Sequence, residues 1–337
     1  VSSMSTMRPW NARQTPVGTP RKPPSPETGT MQDNQLVTVT LNPALDFSSE
    51  VPELVPNEKL RCDHPSMFPG GGGVNVARAI RNLGGDATAC VALGGPNGQS
   101  LELLLRAEGV DVATVSLDVQ TRHSLSVRDQ NDGKLYRFML PGTPWTQMIE
   151  AHFLAKVGEL LGPAKYCVLS GSMPPGTGVD TIRKLATICH NADCKLVVDT
   201  SGPTLISLVQ EESVGIDILR ANQDEAQYST TRQLETLKDF AAAAGRMIKR
   251  GSAKNIVLGV GGQGNLVVTE DGVSLFVPAP KVEVISRVGA GDSFVGAMAL
   301  SLAQDKSWED TLPMGAAAAS VACTKPGTEL CSRGETE

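Results

Sequence analysis

The sequence predicts an α/β protein of three layers, with a mostly parallel central sheet between two layers of helices and a small separate β-sheet. Three observations carry the prediction. From residue 36 onward, continuous apolar runs such as KYCVLSG (165–171) and CKLVVDTS (194–201) alternate with helical segments, the pattern of strands buried on both faces and joined by helices. The glycine-rich stretches PGGGG (69–73), GVGGQG (259–264) and VGAGD (288–292) fall at element ends, and in a doubly wound sheet ligands bind beyond the carboxyl ends of the strands. HSLSVRDQ and KLYRFML alternate in polarity around an NDG turn, which reads as a hairpin outside the buried sheet, serving as a lid.

The elements follow in order. Residues 1–35 are rich in Pro, Thr and polar residues without periodicity and read as a disordered tail. They lack the apolar core of a secretory signal, and a transit peptide is the alternative reading of their early basic residues. LVTVTLNPALD is a strand ending in a turn, and FPGGGGVNVARAIRNLGG a glycine loop leading into a helix that stops on glycine. ATACVALGG is a strand and QSLELLLRAEGV a helix; VDTIRKLATICHNA is a helix between strands KYCVLSG and CKLVVDTS. GIDILRAN, NIVLGV and NLVVTE are strands, and LETLKDFAAAAGRMIKRG is an amphipathic helix. GDSFVGAMALSLAQ and WEDTLPMGAAAASVACTK are two final helices. One domain therefore spans residues 36–331, with a lid drawn from parts of about 45–64, 88–94 and 119–140, and residues 332–337 are a short tail.

Composition narrows the function. A net charge of −6 with 4% aromatic residues argues against nucleic acid as a partner. No apolar run is long enough to span a bilayer. Seven scattered cysteines without a CxxC pair read as core or surface thiols of a reducing, cytoplasmic setting.

The chemistry sits in the glycine turns. Glycine lets backbone approach a ligand, and exposed N–H groups at a helix N-terminus cradle anions. In GAGD, the small residues Gly289, Ala290 and Gly291 leave room for a phosphoryl group, and Asp292 stands where it can accept a proton from an attacking hydroxyl. Taken alone, GAGD reads equally well as a turn whose aspartate caps a helix.

Three linked motifs decide between these. FPGGGGVNVARAIRNLG, VISRVGAGDSFVGAMA and NQDE (222–225) between them resemble, in order and spacing, the signatures of the PfkB, or ribokinase-like, carbohydrate kinases. The resemblance covers roughly residues 36–331. TLNPALD, EKLRC, TR at 121–122, YRFMLPG and SGSMPPG are similar to the branch that phosphorylates sugar phosphates: 6-phosphofructokinases, 1-phosphofructokinases and tagatose-6-phosphate kinases. The latter two typically carry lysine inside the glycine run, where this chain has Gly72.

The resemblance implies a ribokinase-like fold and ATP- and Mg²⁺-dependent phosphorylation of a phosphorylated ketose, fructose 6-phosphate first. Phosphorylation of fructose 1-phosphate or tagatose 6-phosphate is the alternative. It implies Asp292 as base and Gly289, Ala290 and Gly291 as anion hole. Asp46, Gly70, Gly71 and Asn75 would bind the sugar, while Lys59, Arg61, Arg122 and Ser172 would hold its phosphate. Asn222 and Glu225 would position Mg²⁺, and Asn222, Gly259, Gly261 and Gly264 would line the nucleotide site. Outside the family context, Asp46 is a turn former, Asn75 a cap, the three cations a solvated face, and Asn222 with Glu225 a helix start. The exposed edge of the lid leads to the expectation of a homodimer.

Departures from the family pattern cluster on the nucleotide side: Arg220-Ala221 in place of Lys-Pro, Gly259 in place of a serine, Arg287 in place of threonine, and Lys325 where asparagine often stands. A non-catalytic sugar-phosphate sensor is accordingly the rival of another class.

Overall fold

The fold is described from a computed structural model covering residues 36–210 and 214–337; the expected N-terminal tail lies outside the described residues. In chain order the strands are β1 (Leu36–Thr40), β2 (Ala44–Val51), β3 (Ser66–Gly70), β4 (Thr88–Leu93), β5 (Asp111–Ser116), β6 (Arg122–Asp129) and β7 (Leu135–Met139), followed by β8 (Tyr166–Ser170), β9 (Lys195–Asp199), β10 (Ile218–Asn222), β11 (Asn255–Gly259), β12 (Gly264–Thr269) and β13 (Ser274–Pro278). The helices are α1 (Gly72–Asn82), α2 (Gly95–Ala107), α3 (Gln147–Leu160), α4 (Val179–Asn191), α5 (Gly202–Gln210), α6 (Gln223–Ala226), α7 (Leu237–Arg250), α8 (Ala290–Ala303), α9 (Trp308–Cys323) and α10 (Arg333–Thr336).

The central sheet runs β13-β12-β11-β10-β9-β8-β1-β4-β5. It is parallel from β11 to β5, with β12 and β13 antiparallel at one edge. Its central strands β1 and β8 are buried throughout because both faces are covered. Along β9, Leu196 and Val198 pack with Phe153, Ile182, Leu205 and Phe240 from α3, α4, α5 and α7. Val197, pointing to the other face, packs with Ile80, Phe294 and Met298 from α1 and α8. The alanine-rich composition of α8 follows from this burial on all sides: a Cβ on Gly296 would lie 2.8 Å from the Cβ of Ala79 on α1, and one on Gly315 of α9 would lie 2.8 Å from the Phe294 ring.

The lid is a second sheet, ordered β3-β2-β6-β7. Its β6–β7 hairpin is the one expected around NDG, closed by Asp129, whose carboxylate accepts the N–H groups of Asn131 and Leu54 at 2.8 and 3.0 Å. Two expectations about the lid are corrected. Residues 88–94 contribute no lid strand: β4 lies between β1 and β5 in the central sheet, and its residues from Ala89 to Leu93 are buried, which a half-exposed lid could not provide. FPG (68–70), read as the start of a glycine loop, is instead the end of lid strand β3 (Ser66–Gly70), paired antiparallel with β2. The last residues also differ from expectation. Arg333–Thr336 is a helical turn with Thr336 buried, and Glu335 pairs with Lys325 at 2.7 Å, so 332–337 is a packed end rather than a tail.

Candidate active site

The loop before α8 requires glycine at its turn. Gly289 has φ 78°, a left-handed conformation costly for other residues, and a Cβ there would lie 2.6 Å from Leu330. Asp292 follows in the first turn of α8. Its one side-chain hydrogen bond among the described residues does not cap its own helix: Asn75 Nδ2 of α1 donates to Asp292 Oδ2 at 2.9 Å. Burial is the main force raising the Asp292 carboxyl, and the Asp199 carboxylate adds to it. Asn75, Arg220 and Arg78 oppose, and the balance leaves it at about 7. A carboxyl that titrates at about 7 beside the glycine loop expected to cradle an anion is suited to general base chemistry.

Asn75 also accepts a hydrogen bond. Arg78 Nη1 donates to its Oδ1 at 3.1 Å, while the rest of that guanidinium grips Glu108 at 2.5 and 2.9 Å. Neither Arg78 nor Glu108 stands out in the sequence.

On the other side of Asp292, the ends of β9 and β10 bring Asp199 and Arg220 together at 3.3 Å. Ser170 Oγ, at the end of β8, also donates to Asp199 at 3.3 Å. The Arg220 guanidinium lies on the GAGD loop: a Cβ on Gly291 would come within 3.2 Å of its Nη1. The residue that departs from the family pattern thus places a cation on the expected anion hole.

Asn222 and Glu225 form a reciprocal cap of α6, each side chain accepting the other's backbone N–H at 2.9 and 2.8 Å. Burial raises the Glu225 carboxyl, and the nearby Asp199 carboxylate adds to this. The oxygen donors suit a hard divalent cation, which would relieve that repulsion. Among the described residues no group of three or more His, Cys, Asp or Glu could hold a metal alone, so nucleotide oxygens and water would have to complete the shell. Gly261 and Gly264 have φ 53° and 144°, whereas a Cβ on Gly259 would meet only ordinary contacts at 3.4 Å or more, so a side chain fits there. Lys325 is drawn to Glu335, and Arg287 is exposed.

The lid supplies the remaining candidates. On β2, Asp46 accepts a short hydrogen bond from Ser124 of β6; burial raises its carboxyl, with that bond and Arg122 opposing. A Cβ on Gly70 would lie 2.1 Å from Asp46 Oδ2, so Gly70 makes room for that carboxylate. Gly71, at φ 118°, turns the chain into α1. Arg122 donates to the carbonyls of Asn42 at 3.0 and 3.3 Å and of Leu140 at 3.2 Å. Asn42 Nδ2 in turn donates to Ser172 Oγ at 3.0 Å, so Arg122 and Ser172 meet through Asn42. Lys59 and Arg61 are not brought into this contact: both are exposed in the loop between β2 and β3 and make no hydrogen bond or ion pair among the described residues.

Residues 36–334 match the family described as pfkB family carbohydrate kinase. The chain is 39% identical over 304 residues to the ATP-dependent 6-phosphofructokinase isozyme 2 of Escherichia coli (strain K12), covering 90% of this chain and 97% of that one. It is 28% identical over 300 residues to the 1-phosphofructokinase of the same strain, covering 89% and 94%. Among solved structures, phosphofructokinase-2 from Escherichia coli in complex with fructose-6-phosphate aligns with a TM-score of 0.82 at 37% identity, covering 90% of this chain and 97% of that one. Arabidopsis thaliana ribokinase with ribose and ATP aligns at 0.73 and 22% identity, covering 90% and 97%, a likeness of fold.

Proposed function

The chain belongs to the pfkB family of carbohydrate kinases, and on that premise we propose that it transfers the γ-phosphate of ATP to fructose 6-phosphate. The observation that carries the reading is the 2.9 Å contact between Asp292 and Asn75. It joins the helix mouth that would face the nucleotide to the glycine loop that would face the sugar, at the point where hydroxyl and phosphoryl group must meet.

In this mechanism the sugar 1-hydroxyl oxygen attacks the γ-phosphorus in line, the bond from that phosphorus to the bridging oxygen breaks to release ADP, and Asp292 takes the hydroxyl proton. The backbone N–H groups of Gly289, Ala290 and Gly291, with the Arg220 guanidinium beside them, hold the charge that develops on the phosphoryl oxygens. Asn222 and Glu225 would hold Mg²⁺ through water, and the ion would neutralise phosphate charge. Gly261 and Gly264 would border the nucleotide, and Gly259 leaves that wall without a side chain. Asp46 would accept hydrogen bonds from sugar hydroxyls, with Gly70 and Gly71 forming the floor.

Arg122, with five N–H groups and three of its hydrogen bonds directed at carbonyls, keeps two donors for a phosphate. Ser172 lies across Asn42 from it, and closure of the β2–β3 loop would add Lys59 and Arg61. Gly72, where 1-phosphofructokinases and tagatose-6-phosphate kinases typically carry lysine, favours fructose 6-phosphate over fructose 1-phosphate and tagatose 6-phosphate. A Cβ there would lie 2.4 Å from Ser170 Oγ, so a lysine does not fit this loop as it stands. Met67, Phe138 and Met139, each half exposed on the lid, support pairing with a second copy through that sheet. No helix among the described residues is long and apolar enough to cross a membrane, and a cytoplasmic setting fits the substrates proposed.

An ADP-release assay with MgATP tests the reading, with fructose 6-phosphate, tagatose 6-phosphate and fructose 1-phosphate in parallel. The expected result is the highest kcat/KM with fructose 6-phosphate. Folded protein that turns over none of the three would instead favour the sensor reading. Gly70→Ala provides a second test on the sugar side. Its Cβ must displace the Asp46 carboxylate, and a shift of about 1 Å can cost about 100-fold. KM for the sugar should rise at least about tenfold with KM for ATP unchanged; equal rises in both would remove Asp46 from the sugar site.

A further inference from the structure

We infer that Arg78, locked by Glu108, is a positioning residue for the base: it fixes which way the Asn75 amide faces and thereby aims the Asp292 carboxylate. The inference rests on the kinase reading only for its kinetic consequence. Four side chains form one line from the end of α2 to the mouth of α8: Glu108 to Arg78 at 2.5 and 2.9 Å, Arg78 to Asn75 at 3.1 Å, and Asn75 to Asp292 at 2.9 Å.

Each contact has a direction. Arg78 only donates, so it demands the oxygen of Asn75 and leaves the NH₂ for Asp292. A free asparagine amide can turn over and exchange its oxygen and nitrogen; here, turning over would set its oxygen against the Asp292 carboxylate. With the amide held, one oxygen of Asp292 is occupied and the other is left for the attacking hydroxyl.

Arg78 is itself fixed. It is 7% exposed, its fork is matched by both Glu108 oxygens, and Nη1 also reaches the Pro69 carbonyl at 3.4 Å, near the end of β3. A buried guanidinium with no carboxylate partner would be costly, which accounts for Glu108 at the C-terminal cap of α2. The charged groups facing Asp292 are Asp199 from β9, Arg220 from β10 and Arg78 from α1, so Arg78 acts on the base both through Asn75 and through its charge.

The test uses the full chain carrying Arg78→Met, Arg78→Lys or Glu108→Gln, with thermal melting to establish folding. Two readouts are taken: the pH profile of kcat, and the titration of the Asp292 carboxyl followed by carbon NMR, which does not need turnover. Arg78→Met should lower kcat about 10- to 100-fold, leave KM for ATP unchanged, and move the Asp292 titration to higher pH. Arg78→Lys should restore the titration through its charge but not kcat, because an ammonium lacks the fork. Glu108→Gln should move the titration to lower pH, since Arg78 then faces Asp292 without its own counter-charge.

Opposite shifts in the two variants are not expected of residues that merely stabilise the fold. An unmoved titration in folded Arg78→Met, or in Glu108→Gln if the former does not fold, overturns the inference. Absence of turnover in the unsubstituted protein would count against the kinase reading alone, and the NMR titration would still decide on Arg78.

Discussion

Asp292→Asn should lower turnover by about 10²- to 10⁴-fold and, at pH 8, raise the melting temperature. Both effects have one source. The carboxyl ordinarily titrates near 3.8, but in the fold burial and Asp199 carry it to about 7. A base raised in this way costs stability once it is charged. Below pH 3.8 both folded and unfolded chains hold the proton and there is no cost; as pH rises from there to about 7 the unfolded chain gives up its proton first, and folding stability is lost across that window. Above it the loss is roughly 4 kcal/mol, at about 1.36 kcal/mol for each tenfold change in proton affinity. Asparagine keeps the shape without the charge, so the variant should be more stable at pH 8, with its advantage shrinking towards pH 4. Melting curves at both pH values, beside ADP-release rates, check this. An Asn variant that turns over normally, or that melts lower at pH 8, would remove Asp292 from the role of strained base.

The same residues mark how far the sequence could be read. Asp292 and the GAGD glycines are legible as candidates because a loop, a helix start and an acid stand within a few positions of one another; Asn75, 217 residues from Asp292, is nominated by the family resemblance alone. Arg78 is not legible, because its meaning depends on Glu108, 30 residues away and brought near only by packing of the end of α2 against α1. Asp199 looks like the polar end of a buried strand until Arg220 is placed beside it.

The lid was the hardest part of the fold to read. In SMFPG the proline and the glycines that follow signal a break, yet Pro69 tolerates an edge strand such as β3. Residues 88–94 are expected in the lid, yet the apolar run from Ala89 to Leu93 belongs to a sheet covered on both faces. Lys59 and Arg61 show the limit of the family resemblance as a guide: it nominates them for a phosphate, and the loop that carries them leaves them in solvent.

Arg220→Met should lower kcat about 10²- to 10³-fold, the usual effect of losing one donor to a developing oxyanion, while KM for the sugar stays near its original value. The guanidinium lies between two demands. It pairs with Asp199 at 3.3 Å, and it rests on Gly291 of the proposed anion hole. Its removal leaves the largely buried Asp199 carboxylate unpaired next to the base, so Asp292 should titrate higher still and the acid limb of the pH–rate profile should move up. Stability should also fall, by about 3–5 kcal/mol if the pair behaves as a buried one.

Two companion variants separate these effects. Arg220→Lys keeps a charge but not a planar fork and should recover the pH limb more fully than kcat. Asp199→Asn combined with Arg220→Met removes both charges and should recover much of the stability without recovering kcat, since the donor to the phosphoryl oxygens is still missing. If the double variant recovered both, Arg220 would be in place only to neutralise Asp199, and the anion hole would consist of backbone alone.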